Sequence, residues 1–514
     1  MKPLLFAFLA GLASACGFEP LKLWPLTIAA FAVLLWLVET APSLRSALAR
    51  GYWFGMGQFV LGLNWIATAF TYQDAMPHWL GWIAVVALSL YIAVYPAMAT
   101  GLAWRWGRGG GTVRLALIFA AAWIVTEWLR ATMFTGFAWN PVGVALLPMP
   151  LARSATLVGT YGLSGLLVLL GGLALLLVRR KWRGGLGLAA GAAATTGIAV
   201  LLTPATLGAP KIPLRIVQPN IGQEGKWTEA YADTILRRLG GLSQRPNQPS
   251  ILLWPEAAVT DSLEDGRVHP VYQADVEATR RLVQQQLGMS SLLLTGGVTI
   301  RSANGVNASS ATNSIFAIDS SRRILGRYDK AHLVPYGEYL PMRPILAAIG
   351  LSRLAPGNLD FDPGPGPQTL DLPLIGKAGF QLCYEIIFSG EVVDRGNRPA
   401  FLFNPSNDAW FGPWGPPQHL AQARLRGLEE GLPVLRSTPT GISAVVDAEG
   451  TLLASLPLGT AGVIDTNLPA PKPPTLFARF GNLLPFAFAL LLIAAAFVPG
   501  LLQRDPNRAR SGGI

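Results

Sequence analysis

The sequence predicts two fold classes in one chain, an α-helical bundle of about eight membrane spans and an α/β domain of about 250 residues. Hydrophobic residues make up 51% of the 514 residues and charged residues only 13%, whereas a typical soluble domain carries about 25% charged residues. Most of the apolar residues lie in long uninterrupted runs. Between residues 214 and 467 the composition changes, and short β-rich runs alternate with helical ones.

The apolar runs define the predicted membrane spans, because a helix needs roughly 20 apolar residues to cross the hydrocarbon layer. The first run could also be a secretory signal that ends near Cys16. Further spans follow it directly, so we interpret it as a retained helix. We therefore predict a seven-span domain at 1–203, an α/β domain at 214–467 and a last transmembrane helix at 478–502. The eight runs lie at residues 4–19, 24–41, 53–72, 79–103, 113–134, 155–178, 184–203 and 478–502.

The basic residues predict the orientation of these spans, because lysine and arginine accumulate in short cytoplasmic loops. With a cytoplasmic N-terminus, the outer short loops hold only Lys22, Arg130 and Arg153. Both termini are then cytoplasmic, and the α/β domain lies on the outer face. The net charge of +11 therefore reflects membrane topology. The sequence contains no stripe of basic residues interleaved with aromatic residues, which is the pattern that would predict binding to nucleic acid. The basic residues on the inner side are Lys2, Arg45, Arg50, Arg105, Arg108, Arg114, Arg179, Arg180, Lys181, Arg183, Arg504, Arg508 and Arg510.

Hydrophobic periodicity and turn residues predict the elements of the α/β domain. An alternation of strands and helices over this length is typical of a domain with a large sheet core. Its size suits an independent catalytic domain. Strands are predicted at 214–218, 251–254, 291–296, 314–318, 324–328, 377–382, 400–404, 434–437, 443–447 and 451–457, and helices at 228–242, 271–287 and 417–430.

Reactive side chains follow three of the predicted strands. Glu256 comes after strand 251–254, Lys330 after strand 324–328 and Cys383 after strand 377–382. Groups just past the carboxyl ends of strands converge on the site crevice in open α/β folds. There the carboxylate can take the thiol proton, the thiolate can attack an acyl carbon, and the ammonium can stabilise the oxyanion. We also expect the ammonium to lower the pKa of the thiol.

Cys383 has a second interpretation as a small hydrophobic core residue, since free cysteines are often buried. The chain has only one other cysteine, Cys16, which excludes a disulfide framework or a multi-cysteine zinc site. The four histidines show no metal-ligand spacing, and no phosphate-binding or dinucleotide motif is present. We therefore expect no metal and no cofactor. His332 and His419 raise the alternative of a Cys–His mechanism, although we interpret His332 as structural.

Three segments surround the reactive residues, namely Trp254-Pro255-Glu256, the run from Tyr328 to Glu338, and Cys383-Tyr384-Glu385. They resemble the triad segments of the nitrilase (carbon–nitrogen hydrolase) superfamily. Three further segments are Gln218–Ile221, Asn404–Gly412 and Leu435–Val445. Together with seven spans before the domain and one after it, they resemble the membrane-bound branch of that superfamily, the apolipoprotein N-acyltransferases of the bacterial cytoplasmic membrane.

The resemblance implies that domain 214–467 is a periplasmic αββα sandwich with Glu256, Lys330 and Cys383 as its catalytic triad. It implies a two-step transfer in which Cys383 first takes an acyl chain from a phospholipid, typically phosphatidylethanolamine, as a thioester. The α-amine of the diacylglyceryl-modified N-terminal cysteine of an apolipoprotein then accepts the chain. No cofactor takes part.

The resemblance also assigns residues around the triad. Glu338, Glu385 and Tyr384 would support the site, and Trp227, Trp410 and Phe411 would lie along the path of substrate access. For Glu338, Glu385 and Trp227, a packing role is equally compatible with the sequence.

The apolar segment 339–351 has two interpretations. It is either a mobile lid that dips into the membrane interface or a helix packed on the domain. Two rival functions also remain, a membrane-tethered amidase that hydrolyses the same thioester and a transporter whose outer domain only binds ligand. The apolar segment argues against a closed polar amidase cleft. The scarcity of charges within the spans argues against a transport pathway.

Overall fold

Two units divide the chain. The first comprises Met1–Asn64, Ile83–Thr203 and Phe480–Ile514, and the second comprises Trp65–Trp82 and Pro204–Arg479. The computed structural model describes residues 2–72, 76–208, 211–223, 229–244, 246–247, 249–348 and 359–498. Residues 65–82, which contain the end of the predicted span 53–72 and the start of the predicted span 79–103, thus group with the α/β part of the chain.

The part of the chain before residue 203 is helical. Among the described residues, four helical segments are long and apolar enough to cross a membrane, namely Leu80–Gly107, Gly111–Thr132, Pro150–Val178 and Trp182–Leu202. Shorter apolar helices lie at Lys2–Ala15 and Trp24–Glu39, and another follows the α/β domain at Leu483–Phe497. The count of eight spans therefore stays a prediction. The helices are α1 (Lys2–Ala15), α2 (Trp24–Glu39), α3 (Leu44–Gly62), α4 (Ile66–Ala69), α5 (Leu80–Ile92), α6 (Val94–Gly107), α7 (Gly111–Thr132), α8 (Ala155–Val178) and α9 (Trp182–Leu202).

Helices α1 and α3 pack backbone to backbone. A Cβ atom added at Gly11 would lie 2.0 Å from the carbonyl oxygen of Phe54, and one added at Gly57 would lie 2.1 Å from that of Phe8. Such contact needs small residues at the interface, as is common between membrane helices.

Two buried charged residues of α7 hold the segment that follows this helix. The carboxylate of Glu127 accepts hydrogen bonds from the Trp123 indole at 3.2 Å and from the Val142 backbone N–H at 2.9 Å. Arg130 donates to the carbonyl oxygen of Trp139 at 2.9 Å. Both side chains are almost inaccessible to solvent, so their contacts explain why ionisable residues occur in an apolar run.

The second unit contains two β-sheets. Its further helices are α10 (Glu229–Ser243), α11 (Pro270–Gln286), α12 (Arg343–Ala348), α13 (Gly415–Glu430) and α14 (Leu476–Phe480), and α15 (Leu483–Phe497) follows in the first unit. The strands are β1 (Pro213–Gln218), β2 (Ile251–Leu253), β3 (Ser262–Asp265), β4 (Leu292–Arg301), β5 (Ser310–Asp319), β6 (Ile324–Asp329), β7 (Thr369–Leu372), β8 (Gly376–Phe380), β9 (Phe401–Pro405), β10 (Val434–Ser437), β11 (Ala444–Val446), β12 (Leu452–Ser455) and β13 (Gly462–Asn467).

The first sheet has the order β13-β1-β2-β4-β5-β6, with β3 also paired to β4, and the second has the order β12-β11-β10-β9-β8-β7. Strands β1, β2 and β4 are parallel to one another, as are β8, β9 and β10. Each sheet therefore has a parallel centre. The residues that follow the parallel strands of one sheet emerge at the same edge of that sheet.

The hydrophobic core lies between the two sheets and is continuous across them. Ile216 and Leu253 of the first sheet belong to the same buried cluster as Phe380 and Phe403 of the second. On its other face, the first sheet packs against α10 and α11 through residues such as Leu252 and Leu293. The two faces follow from the alternation of side chains along each strand. Helix α13 packs against β10, which gives the layered α/β architecture.

The predicted strands and helices of this domain occur, but β4 extends to Arg301 and β5 begins at Ser310, well beyond the predicted bounds 291–296 and 314–318. Strands β3, β7 and β13 are not among the predicted ones. Strand β3 is short and polar, whereas β7 and β13 follow turn-rich segments that mask their alternation. The strand predicted at 377–382 ends at Phe380, because the chain turns at Cys383.

Candidate active site

Cys383 lies in a strained turn. It is 5% exposed and adopts a left-handed backbone with φ of 52° at the start of the 3₁₀ turn Cys383–Ile387. A residue with a Cβ atom pays roughly 1–2 kcal/mol for this conformation, so its surroundings must hold it there. The carbonyl oxygen of Cys383 lies 3.0 Å from Nε2 of His419 and accepts a hydrogen bond from the Asn404 amide at 3.3 Å. Strain of this kind clusters at functional sites.

Glu256 follows β2 and is 7% exposed. Its Oε1 accepts a hydrogen bond from the amide of Asn313 at 2.9 Å. Its Oε2 is buried and has no hydrogen-bond partner within the part of the chain that the structure describes. Strand β4 fixes the backbone here, because a Cβ atom at Gly296 would lie 2.7 Å from Cα of Glu256. Glu256 thus offers one free carboxylate oxygen from a rigid backbone.

Lys330 follows β6 and is fully buried. Its Nζ lies 2.9 Å from both carboxylate oxygens of Glu338. Burial alone lowers the pKa of Lys330, but the negative charges of Glu338 and Glu256 outweigh it and raise the pKa above its usual value. Asn313 also donates to Glu338 at 2.9 Å, so one amide links Glu256 to Glu338. Lys330 is a permanent buried cation.

The charges of Glu256 and Lys330 both act on the Cys383 thiol. Burial raises the pKa of the thiol, Glu256 raises it further, and Lys330 lowers it, with a net value well above the ordinary range. Lys330 therefore acts in the expected direction, although burial and Glu256 outweigh it and raise the pKa of the thiol. The resting group is a thiol, and its attack on an acyl carbon requires that the proton leave during the reaction.

Glu385 connects the turn at Cys383 to the loop after Lys330. One carboxylate oxygen accepts hydrogen bonds from the Tyr328 hydroxyl at 2.8 Å and from the backbone N–H groups of Ala331 at 2.6 Å and His332 at 3.0 Å. The other accepts from the backbone N–H of Leu382 at 2.6 Å. Four donors from two chain segments thus meet on one buried carboxylate.

Tyr384 belongs to an aromatic group beside this carboxylate. Its ring meets those of His332 and Phe388 edge-on at 5.8 and 5.2 Å, and the His332 ring stacks on Phe388 at 3.8 Å. The interpretation of His332 as a structural residue agrees with this packing.

The residues predicted to guide substrates lie in two segments. Phe411 contacts Trp65 with ring centroids 4.5 Å apart, and Trp410 contacts Tyr72 at 6.0 Å. The turn Asp408–Phe411 is thus packed on residues 65–72 of the same unit. Trp227 lies outside the described residues.

Helix α12 occupies the middle of the apolar segment predicted as a lid or a packed helix. Met342 and Ile345 are 63% and 64% exposed, and the helix buries none of its residues. Residues 349–351 of this segment lie outside the described residues.

A buried polar cluster behind Cys383 was not foreseen. Sγ of Cys383, a carboxylate oxygen of Asp408 and a ring nitrogen of His419 lie within 4.8 Å of one another, and the group has the composition of a metal site. Arg436, however, already forms an ion pair with Asp408, and both ring nitrogens of His419 lie within hydrogen-bond distance of protein groups. His419 contacts the carbonyl of Cys383 rather than taking the place of a base. The position of Asp408 just after strand 400–404 was the available signal.

Comparison with known proteins finds matches over nearly the whole chain. The family model described as apolipoprotein N-acyltransferase N-terminal domain matches residues 10–173, and the model described as carbon–nitrogen hydrolase matches residues 214–472. The apolipoprotein N-acyltransferase of Rhodopseudomonas palustris is 36% identical over 98% of this chain and 96% of its own length. The chain belongs to the apolipoprotein N-acyltransferase family.

Other members of the apolipoprotein N-acyltransferase family match to a similar extent. The enzyme of Bradyrhizobium diazoefficiens is 36% identical over 99% of this chain and 96% of its own length, and that of Brucella melitensis is 34% identical over 98% and 96%. Among solved structures, an amidase from Nesterenkonia sp. is 16% identical over 51% of this chain and 92% of its own, with a TM-score of 0.33.

Proposed function

We propose that this chain moves a fatty acyl chain from a phospholipid to the α-amine of the diacylglyceryl-cysteine at the N-terminus of apolipoproteins, by way of a thioester on Cys383. The family assignment supports the reaction class. The observation that supports the site is the arrangement of a buried thiol, a buried ammonium and a carboxylate oxygen of Glu256 without a hydrogen-bond partner in the described structure. In this arrangement Glu256 is the proton acceptor and Lys330 the oxyanion stabiliser.

The first half-reaction forms the thioester. The sulfur of Cys383 attacks the ester carbonyl carbon while Glu256 takes the thiol proton, and Lys330 stabilises the negative oxygen of the tetrahedral intermediate. When the intermediate collapses, the bond between carbon and the glycerol oxygen breaks. Glu256 returns the proton to that oxygen, and lysophospholipid leaves.

The second half-reaction transfers the chain. The free α-amine attacks the thioester carbonyl and gives a proton to Glu256, while Lys330 again stabilises the oxyanion. The carbon–sulfur bond then breaks, the sulfur regains a proton from Glu256, and an amide remains on the acceptor. Restoring the thiol costs little because its pKa lies above the ordinary range, so the free enzyme starts each cycle protonated.

Glu338 and Glu385 act as positioning residues in this scheme. Glu338 holds Lys330 through both of its carboxylate oxygens, and Glu385 fixes the turn at Cys383. Tyr384 supports the site through its ring contacts with His332 and Phe388. Trp410 and Phe411 belong to the path of substrate access, and Trp227 is assigned to that path from the sequence alone.

The membrane arrangement is also part of the proposal. The donor is an outer-leaflet phospholipid, with phosphatidylethanolamine as the first candidate, and the catalytic domain 214–467 faces the periplasm. Seven spans precede it within 1–203, one follows at 478–502, and both termini are cytoplasmic. The bias of lysine and arginine between loops supports this orientation.

The deciding experiment is intact mass measurement of the purified protein after incubation with phosphatidylethanolamine vesicles. We expect a hydroxylamine-sensitive acyl adduct on the wild type and on Cys16→Ser, and no adduct on Cys383→Ala. Release of the adduct by a diacylglyceryl-peptide with a free amine should yield the triacylated peptide. Rapid hydrolysis of the adduct without transfer would identify an amidase or esterase. A folded protein that leaves the phospholipid intact would contradict the proposal.

A further inference from the structure

Four buried polar side chains form a cluster behind the backbone of Cys383. Asn404 lies on β9, Asp408 in the 3₁₀ turn that follows β9, His419 on α13 and Arg436 on β10. All four are at most 1% exposed. None of them has a role in the reaction scheme above, and burying so many polar groups is unfavourable unless they are mutually satisfied.

The contacts of the cluster converge on one carbonyl group. Nε2 of His419 lies 3.0 Å from the carbonyl oxygen of Cys383, and the amide of Asn404 donates to the same oxygen at 3.3 Å. Since a carbonyl oxygen only accepts, His419 carries its proton on Nε2. Nδ1 lies 3.0 Å from Arg436 and 2.8 Å from Asp408. Arg436 also bonds the side chains of Asp408 and Asn404, so it ties the cluster together.

We propose that His419, held in place by Asp408 and Arg436, is a positioning residue that works with Asn404 to hold Cys383 in its left-handed conformation and so aims the thiol at the acyl carbon. This inference rests on the proposed role of Cys383 as the acyl carrier. Cys383 is the strained residue and carries the reacting sulfur, and its backbone carbonyl oxygen accepts hydrogen bonds from His419 and Asn404. Without them, the turn relaxes toward a common backbone conformation and the sulfur is displaced.

The cluster also determines the charge behind the thiol. The charged and titratable groups around Cys383 are Glu256 and Lys330 on one side and Asp408, His419 and Arg436 on the other, with Glu385 in its own turn. Asp408 acts to raise the pKa of the thiol. Burial and Arg436 lower the pKa of His419, whereas the adjacent Asp408 carboxylate acts to raise it. Arg436 forms an ion pair with Asp408, so replacing Arg436 leaves the negative charge of Asp408 near the thiol without its partner.

The first test compares His419→Leu, which lacks the donor, with His419→Gln, whose amide can donate from a similar position. In a Cys16→Ser background Cys383 is the only thiol, because the chain has two cysteines. We expect His419→Leu to slow single-turnover acyl-enzyme formation by about 10²-fold with an unchanged KM for phospholipid. His419→Gln should recover most of that rate at the same melting temperature as His419→Leu. Equal rates for the two variants would overturn the proposal.

The second test needs no acyl transfer and therefore separates this inference from the proposed function. It measures the pH dependence of Cys383 alkylation by iodoacetamide. Asp408→Asn leaves Arg436 uncompensated, so the alkylation midpoint should move to lower pH, whereas Arg436→Gln should move it to higher pH. Opposite shifts support the cluster even if no acyl adduct forms on the wild type. Unchanged midpoints in both folded variants would overturn the placement of the cluster against Cys383, and with it the proposal.

Discussion

At the scale of single residues, Glu256 has two opposing effects on Cys383. As a charge it raises the pKa of the thiol, and in the proposed mechanism it is the base that accepts the proton of the thiol. These effects can be separated experimentally, because one concerns the resting equilibrium and the other concerns the transition state.

Glu256→Gln should therefore change thiol ionisation and catalysis in opposite directions. Removing a negative charge favours the thiolate, so the pKa of Cys383 falls and alkylation by iodoacetamide starts at lower pH. Acyl-enzyme formation should nevertheless fall by about 10²-fold or more, since the proton acceptor is lost. Glu277→Gln, at an exposed position, is the control and should change neither measurement. A Glu256→Gln variant with full activity would remove Glu256 from the mechanism.

Loss of the Glu385 carboxylate should mainly lower the stability of the protein. In Glu385→Ala four donors from Tyr328, Ala331, His332 and Leu382 lose their acceptor. An unsatisfied buried donor costs about 1–3 kcal/mol, so the melting temperature should drop clearly. Glu277→Ala should leave it unchanged, because surface substitutions cost within about 0.5 kcal/mol. Equal melting temperatures for both variants would contradict the structural account of Glu385.

The sequence located the candidate triad but not the cluster behind it. Glu256, Lys330 and Cys383 could be selected because each follows an apolar strand. Arg436 contacts Asp408 and Asn404, which lie 28 and 32 residues before it in the sequence. No local sequence pattern shows that these polar residues contact one another. Their shared target, a backbone carbonyl, leaves no trace in the sequence.

At the scale of elements, strand β4 determines where Glu256 sits. The backbone of Gly296 leaves no room for a side chain against Cα of Glu256 and the N–H of Ala257. The position of Glu256, the proposed general base, is therefore fixed by the approach of strand β4 as well as by strand β2.

Gly296→Ala should displace the carboxylate and lower activity. A Cβ atom 2.7 Å from backbone forces the two strands apart, and a displacement of about 1 Å can cost roughly 10²-fold in rate. Gly241→Ala is the matched control, because a Cβ atom there meets nothing within 4 Å and alanine favours a helix. The measurement is the rate of acyl-enzyme formation in variants that keep a cooperative melting transition. Normal activity in Gly296→Ala would show that the strands can separate freely.

Helix α12 is predicted to contact the membrane rather than water. Ile345→Lys should slow acyl-enzyme formation from phospholipid vesicles several-fold, since a charge at an apolar interface is costly. Turnover of a water-soluble short-chain thioester should stay unchanged. Val306→Lys is the control, as Val306 is equally exposed, at 63%. If both substrates are affected alike, α12 supports the site itself rather than its access to lipid.

Periodicity located most elements of this domain because their apolar alternation is regular. Helix α12 was left between two interpretations, since apolar composition does not distinguish a packed helix from an exposed one. Its exposure depends on how the neighbouring chain runs, which a local pattern does not contain.

At the scale of the whole molecule, the basic residues of the loops predict how the spans are oriented, whereas the structure shows which segments are helical. Four helical segments meet the length and hydropathy needed for a span. The remaining predicted spans contain the shorter helices α1, α2 and α15 or part of helix α3. Their assignment as membrane spans therefore rests on the sequence.

Single-cysteine labelling in intact cells tests this topology. In a Cys16→Ser, Cys383→Ala background, Ser320→Cys should react with a membrane-impermeant maleimide added outside, because it lies on an exposed turn of the catalytic domain. Ser43→Cys, in the loop before α3, should react only after the membrane is permeabilised. Reaction of both positions from the outside would contradict the predicted orientation.

The carboxylate of Glu385 gives the two reactive segments a common reference point. The chain around Lys330 comes from one sheet and the chain around Cys383 from the other, and sheets that slide over a shared core would carry their edges apart. Because both segments are bonded to one buried carboxylate, such sliding moves the ammonium and the thiol together. The hydrogen bonds to Glu385 therefore help to keep the distance between the ammonium and the thiol constant when the two sheets shift relative to each other.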